Sequence, residues 1–112
     1  YVDLKAVISY NFLINKIVNS LQEKIKFIDF DIICGIPYGA IVYTSILSNK
    51  YNYKQILLRK EIKKYGTKKI IEGEYLEKSK CILIEDTITT GSSLEKFISI
   101  YNGHFYSILQ IK

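Results

Sequence analysis

The sequence predicts an α/β fold, a mostly parallel sheet flanked by helices. Three observations predict it. Short apolar runs alternate with stretches of helical period along the chain. Two of those runs, Asp31–Cys34 and Lys80–Glu85, are short and continuous in the manner of strands buried on both faces. With 112 residues, 48% of them hydrophobic, the chain has the length and composition of one globular domain.

The elements follow in order. Tyr1–Ser9 is apolar and β-branched, and is predicted as a strand. Asn11–Lys26 carries Leu13, Ile14, Ile17, Val18, Leu21 and Ile25 on one stripe of helical period, with Lys16, Lys24 and Lys26 off it. Asp31–Cys34 is a buried strand ended by Gly35. A loop, Gly35–Gly39, feeds a helix over Ala40–Ser48, and Ile56–Arg59 is another short strand. Lys60–Gly73 is polar, basic and holds two glycines, so it reads as a loop. Lys80–Glu85 is a strand, Thr87–Ser92 a hydroxyl-rich turn, and Ser93–Tyr101 a helix that Asn102-Gly103 stops. Phe105–Ile111 is the final strand. Right-handed crossovers in such a sheet put helices on both faces, and ligands bind at the carboxyl ends of strands. Gly35–Gly39, Lys60–Gly73 and Glu85–Ser93 are therefore expected to converge on one site.

Composition excludes several classes. One Pro and no Gly- or Ser-rich stretch leave no linker, and no repeat is found, so residues 1–112 are read as a single domain. No apolar run reaches the ~18 residues that span a bilayer. Asp3 and Lys5 interrupt the first apolar stretch, against a secretory leader. The chain starts at Tyr1, which reads as a piece of a longer product. The two cysteines, Cys34 and Cys81, sit in strand-like runs and form neither a disulfide framework nor a zinc pattern. They are expected to be reduced core residues of a cytoplasmic protein. The net charge of +5 favours an anionic partner.

The segment with most chemical content is Cys81-Ile82-Leu83-Ile84-Glu85-Asp86-Thr87-Ile88-Thr89-Thr90-Gly91-Ser92-Ser93. A buried strand delivers two adjacent carboxylates, a hydroxyl-rich loop follows, and a helix begins. Backbone N–H groups at a helix start are unpaired donors and the dipole there favours an anion. Thr89, Thr90, Ser92 and Ser93 add hydroxyl donors, and Gly91 lets the backbone approach a phosphate. Ionised Glu85 and Asp86 are acceptors suited to vicinal ribose hydroxyls. A plain capped helix, with Ser92 and Glu95 as a capping box, explains the hydroxyls in part but not the acidic pair. Neither the Gly-Lys-Ser/Thr phosphate loop nor the Gly-x-Gly-x-x-Gly dinucleotide fingerprint occurs.

From Ile84 to Ser93 the segment resembles the fingerprint of the type I phosphoribosyltransferases: apolar strand, acidic pair, Thr/Ser/Gly loop. A second stretch, Leu58-Arg59-Lys60-Glu61-Ile62-Lys63-Lys64-Tyr65-Gly66-Thr67-Lys68 with Ile71-Glu72-Gly73, resembles the catalytic loop of the orotate phosphoribosyltransferases, including the form fused to a decarboxylase. Cys34-Gly35-Ile36-Pro37-Tyr38 resembles their pyrophosphate loop, and Tyr1-Val2-Asp3-Leu4-Lys5 the strand before their core. The resemblance covers essentially the whole chain.

The resemblance implies transfer of ribose 5-phosphate from 5-phosphoribosyl-1-pyrophosphate (PRPP) to orotate, giving orotidine 5'-phosphate and pyrophosphate in UMP biosynthesis. It implies that Lys60, Lys63 and Asp86 act in catalysis. Arg59, Lys60, Lys63, Tyr65, Glu85, Asp86, Thr87, Ile88, Thr89, Thr90, Gly91, Ser92 and Ser93 would bind PRPP. Gly35, Ile36, Pro37, Tyr38 and Gly39 would hold the pyrophosphate, and Thr89 would also touch orotate. Mg²⁺ is implied, carried mainly by the ligand with no direct protein ligand, as is a homodimer that exchanges the Arg59–Lys68 loop between sites. Neither nucleic acid nor membrane is expected as a partner. Charge alone would leave Arg59, Lys60 and Lys63 a solvated face; their position beside the acidic motif gives them a ligand.

The chain departs from the family in places. Many bacterial relatives have His where Tyr65 stands and Lys where Gly39 stands; the fused form has Tyr and a small residue. The family's N-terminal hood, with a Lys and an aromatic pair for orotate, and an Arg beyond the last strand, match nothing between Tyr1 and Lys112. The chain is thus expected to be truncated at both ends and to hold the ribose-phosphate half of a site. The alternatives are a non-catalytic PRPP-binding regulator or inactive fragment of the same fold, and a nucleic-acid-binding module suggested by the charge. The lone His104 follows Asn102-Gly103 and is assigned to a turn. Of the ten tyrosines, Tyr38 alone falls in a proposed site segment besides Tyr65; the others are read as core or surface filler.

Overall fold

A computed structural model describes residues 4–59, 70–86 and 104–110. Their order is α1 (Leu4–Val7), α2 (Asn11–Ile25), β1 (Ile32–Gly35), α3 (Gly39–Tyr51), β2 (Lys54–Leu58), β3 (Ile71–Glu72), β4 (Lys80–Glu85) and β5 (His104–Gln110). The five strands form one sheet in the order β3-β2-β1-β4-β5. β1 runs parallel to both β2 and β4, and β5 parallel to β4, while β3 pairs antiparallel with β2.

The side-chain period of two splits each central strand between two cores. On one face Ile33, Ile82 and Ile84 meet Ile14, Val18, Leu21 and Ile25 of α2 and Ala40, Tyr43 and Leu47 of α3. On the other, Ile32, Cys34, Cys81 and Leu83 join Ile56, Leu58 and Ile71, with Ile70 and Tyr75 packed against them. Fully burying one such aliphatic side chain contributes roughly 1.5–3 kcal/mol, so β1 and β4, apolar on both faces, anchor the sheet. The stripe predicted over Asn11–Lys26 supplies the inner face of α2, and Lys26 caps it.

Four expectations are corrected. The predicted strand Tyr1–Ser9 contains helix α1 instead: Val7 turns inward against the α2–α3 layer, and Leu4, Lys5 and Ala6 are good helix formers. The helix predicted over Ala40–Ser48 runs from Gly39 to Tyr51 and stops at Asn52, which takes the left-handed conformation (φ 59°). The predicted loop Lys60–Gly73 includes β3, where Glu72 and Ile71 pair with Leu57 and Leu58. His104, assigned to a turn, opens β5 opposite Lys80. Among the described residues, α2 and α3 share one face of the sheet. The helix predicted at Ser93–Tyr101, the turn at Thr87–Ser92 and the stop at Asn102-Gly103 lie outside the described residues.

The sheet order places a switch point between β1 and β4. From β1 the chain winds through α3 to β2 on one side; β4 lies on the other. The carboxyl ends of two parallel neighbours that diverge in this way leave a crevice, the usual ligand position in such sheets.

Candidate functional site at the carboxyl ends of the first and fourth strands

Two predicted segments meet at that crevice. β1 hands the chain to Gly35–Gly39, and β4 ends on Glu85 with Asp86 directly after. The Ile36 N–H donates to the Ile84 carbonyl at 2.8 Å, carrying the ladder one residue past β1. Gly35 is required there by close packing: a Cβ would stand 2.6 Å from Thr44 Oγ1 and 2.9 Å from the Ala40 carbonyl oxygen. The Pro37–Tyr38 peptide is cis. Pro37 is buried, whereas Tyr38, at the N-cap of α3, is 68% exposed.

The acidic pair occupies two environments. Glu85 is only 5% exposed, and its Oε2 has no hydrogen-bond partner among the described residues. Burial, and after it the charge of Asp86, pushes the Glu85 carboxyl above its ordinary value. The Asp86 carboxylate reaches across to α3: a Cβ at Gly39 would lie 2.0 Å from its Oδ2. Gly39 therefore leaves the space that Asp86 fills. A negative group at the first turn of a 13-residue helix is stabilised by the helix dipole. One turn further along α3 the Tyr43 phenol is fully buried, and burial followed by the Asp86 charge pushes it up. Sequence reading passed over Tyr43, whose place in an apolar helix is indistinguishable from that of a core residue.

Arg59 stands just beyond β2, at the same end of the sheet. Its N–H donates to the Ile70 carbonyl at 2.7 Å, and its Nε pairs with Glu72 Oε1 at 2.7 Å. That contact fixes the guanidinium through one of its five N–H donors, the remainder being on the terminal nitrogens. Of the predicted residues, Gly35, Ile36, Pro37, Tyr38, Gly39, Arg59, Glu85 and Asp86 are thus placed at the carboxyl end of the sheet. Lys60, Lys63, Tyr65, Thr87, Ile88, Thr89, Thr90, Gly91, Ser92 and Ser93 lie outside the described residues.

Cys34 and Cys81 are free and buried. Burial pushes the Cys34 thiol up to about 12 and raises Cys81 as well, so both are protonated core groups without nucleophilic character. A cavity of about 340 Å³ lined by Asp31, Ile32, Lys54, Leu76, Lys78 and Ser79 lies at the opposite, amino-terminal end of the strands. It contains none of the predicted residues. Among the described residues no helix is long and apolar enough to cross a membrane.

The site can accept two hydroxyl donors at its carboxylates while offering backbone beside them. No protein-family model matches the chain. It is 39% identical over 103 residues to orotate phosphoribosyltransferase of Sulfurisphaera tokodaii, covering 92% of this chain and 52% of that enzyme. It is 35% identical over 96 residues to uridine 5'-monophosphate synthase of Bos taurus, covering 84% of this chain and 20% of that protein. Among solved structures, UMP synthase of Leishmania donovani matches with a TM-score of 0.82 at 27% identity, over 98% of this chain and 24% of that one. The chain thus spans about half of one curated relative and a fifth of the other.

Proposed function

We propose that this chain, a phosphoribosyltransferase-fold core similar in sequence to the orotate phosphoribosyltransferases, is the ribose-phosphate half of an enzyme that transfers ribose 5-phosphate from PRPP to orotate. The observation that carries the reading is the pair Glu85–Asp86 at the switch point, one carboxylate oxygen buried without a partner among the described residues and the other acid seated over Gly39. Burying an acceptor without a donor costs about 1–3 kcal/mol. A ligand diol that donates to these oxygens removes that cost on binding.

Each residue then has a physical task. Glu85 and Asp86 accept the ribose hydroxyls and hold the sugar's orientation. Thr87, Ile88, Thr89, Thr90, Gly91, Ser92 and Ser93 receive the 5-phosphate through backbone N–H groups and hydroxyls, and Thr89 also touches orotate. The turn Gly35-Ile36-Pro37-Tyr38-Gly39 holds the pyrophosphate. Arg59, Lys60, Lys63 and Tyr65 meet its growing charge as the bond from C1 breaks, and closure of their loop excludes water that would capture the ribosyl cation. Pyrophosphate departs with the bonding electrons, and the orotate nitrogen attacks C1, giving orotidine 5'-phosphate. Mg²⁺ arriving with the ligand would supply further charge neutralisation; the buried Glu85 oxygen, unpartnered among the described residues, suits a site whose ligand brings the positive charge and the donors. A homodimer exchanging the Arg59–Lys68 loop, and a cytoplasmic location in keeping with two free thiols, complete the proposal.

The test uses the full-length protein, with Asp86→Asn and Lys63→Ala assayed for conversion of orotate and PRPP to orotidine 5'-phosphate. Both variants are expected to keep the fold and lose at least about a hundredfold in turnover. Product formation at wild-type rates by both would refute the reading. PRPP binding without any turnover by the unmutated protein would assign the fold to a regulator instead.

A further inference from the structure

We infer that Tyr43 is a positioning residue, holding the Asp86 carboxylate in the orientation that receives the ribose diol. The inference rests on the site reading proposed above and adds a residue to it. Gly39 and Tyr43 are four apart on α3 and so lie on one face, one above the other. Asp86 Oδ2 occupies the space over Gly39, within 2.0 Å of where a Cβ would be. The carboxylate is therefore directed onto the face from which Tyr43 rises. Tyr43 is fully buried in the layer that also holds Ile33, Ile82 and Ile84. A buried tyrosine hydroxyl ordinarily has a hydrogen-bond partner, and Asp86 is the acid whose charge the Tyr43 phenol senses. Both the burial and that charge keep the phenol protonated, so it remains a donor while Asp86 is an acceptor.

The arrangement solves a local problem. Glu85 and Asp86 are adjacent acids that repel one another at a buried strand end. Withdrawing Asp86 toward the start of α3, with a phenol beneath and no side chain at position 39, separates the two charges before the ligand arrives. The vacancy at Gly39 and the hydroxyl at Tyr43 act together: a larger residue at 39 displaces the carboxylate, and loss of the hydroxyl leaves it unsupported.

A double-mutant cycle on the full-length protein tests this, with Tyr43→Phe and Asp86→Asn made singly and together. Kd for ribose 5-phosphate, which carries the diol, and for pyrophosphate, which lacks it, is measured by calorimetry, with thermal unfolding as a check on folding. Tyr43→Phe keeps the ring and its packing. It is expected to weaken ribose 5-phosphate about tenfold, to leave pyrophosphate unchanged, and to add nothing in the Asp86→Asn background. An equal loss with and without the Asp86 carboxylate, an equal loss for both ligands, or no loss at all overturns the inference. Should Asp86→Asn alone leave ribose 5-phosphate binding intact, the site reading fails and this inference fails with it; a large effect of Asp86→Asn with none from Tyr43→Phe removes Tyr43 alone.

Discussion

The two ends of the sheet treat their acidic side chains in opposite ways. At the amino-terminal end Asp31 accepts the Lys80 backbone N–H at 2.7 Å, and Asp29 pairs with the Lys80 ammonium. The Ser79 hydroxyl likewise accepts the Leu76 N–H at 2.9 Å. At the carboxyl end Glu85 is buried with an unpartnered oxygen, and Asp86 stands next to it in sequence. Acids at one end complete the backbone; at the other, Glu85 keeps a buried oxygen that no described residue satisfies. Native interiors rarely leave such a group unmatched, and a buried acid with raised titration such as Glu85 marks a place where a ligand can complete the arrangement. Under the proposed reading, the contrast separates structural from functional carboxylates without reference to any relative.

Substitutions can break that contrast. The largest effect is expected from Gly39→Ala. The new Cβ meets the far end of the Asp86 side chain and not backbone, so the carboxylate swings away and the fold survives. PRPP affinity of the full-length protein, measured by calorimetry, should fall by more than about tenfold while the melting temperature changes little. At the other end, Asp31→Ala removes an acceptor from the start of β4. It should lower the unfolding free energy by about 1 kcal/mol in urea titrations and leave PRPP affinity alone. Reversal of these two patterns would dissolve the distinction.

Glu85→Gln sharpens it through pH. The folded-state carboxyl sits above its ordinary value, so between the unfolded and folded values the folded state binds more protons. Stability contributed by this group is therefore full below the unfolded value and falls as pH rises through the folded one. The ligand-free wild type should lose stability across that window, and Glu85→Gln should flatten the slope in denaturant titrations at a series of pH values. An unaltered slope would show that Glu85 is not strained. The smallest effect is expected from Asp29→Ala. This exposed partner of Lys80, with its side chain 80% accessible, should contribute no more than about 0.5 kcal/mol, and salt should erase that in the same titrations.

Much of this was legible before any coordinates. Lys80–Glu85 announces itself because an apolar run ending in two acids has no packing reason, and the helical stripe on Asn11–Lys26 has a period that a strand cannot mimic. Other parts were not. Val7 and Ile8 are β-branched and locally favour a strand; the inward contact of Val7 with the α2–α3 layer, which local pattern does not contain, favours the helix that Leu4, Lys5 and Ala6 permit. β3 is two residues long, too short for any periodicity, and exists because β2 offers it an edge. Tyr43 looked like filler because the acid it serves lies 43 positions on in the chain. The acidic pair was found from type and spacing; its inequality, one acid buried and one drawn over Gly39, comes from how α3 meets β4.

The Ile36–Ile84 bond has a geometric consequence. It ties the turn after β1 to the last residues of β4, so the two cannot slide past each other without losing a ladder rung. Neighbouring strands lie about 4.8 Å apart, and that pitch becomes a fixed gauge between the turn after β1 and the acidic pair at the end of β4. Under the proposed reading, a ribosyl donor is measured for span by the sheet itself before any charged loop engages it.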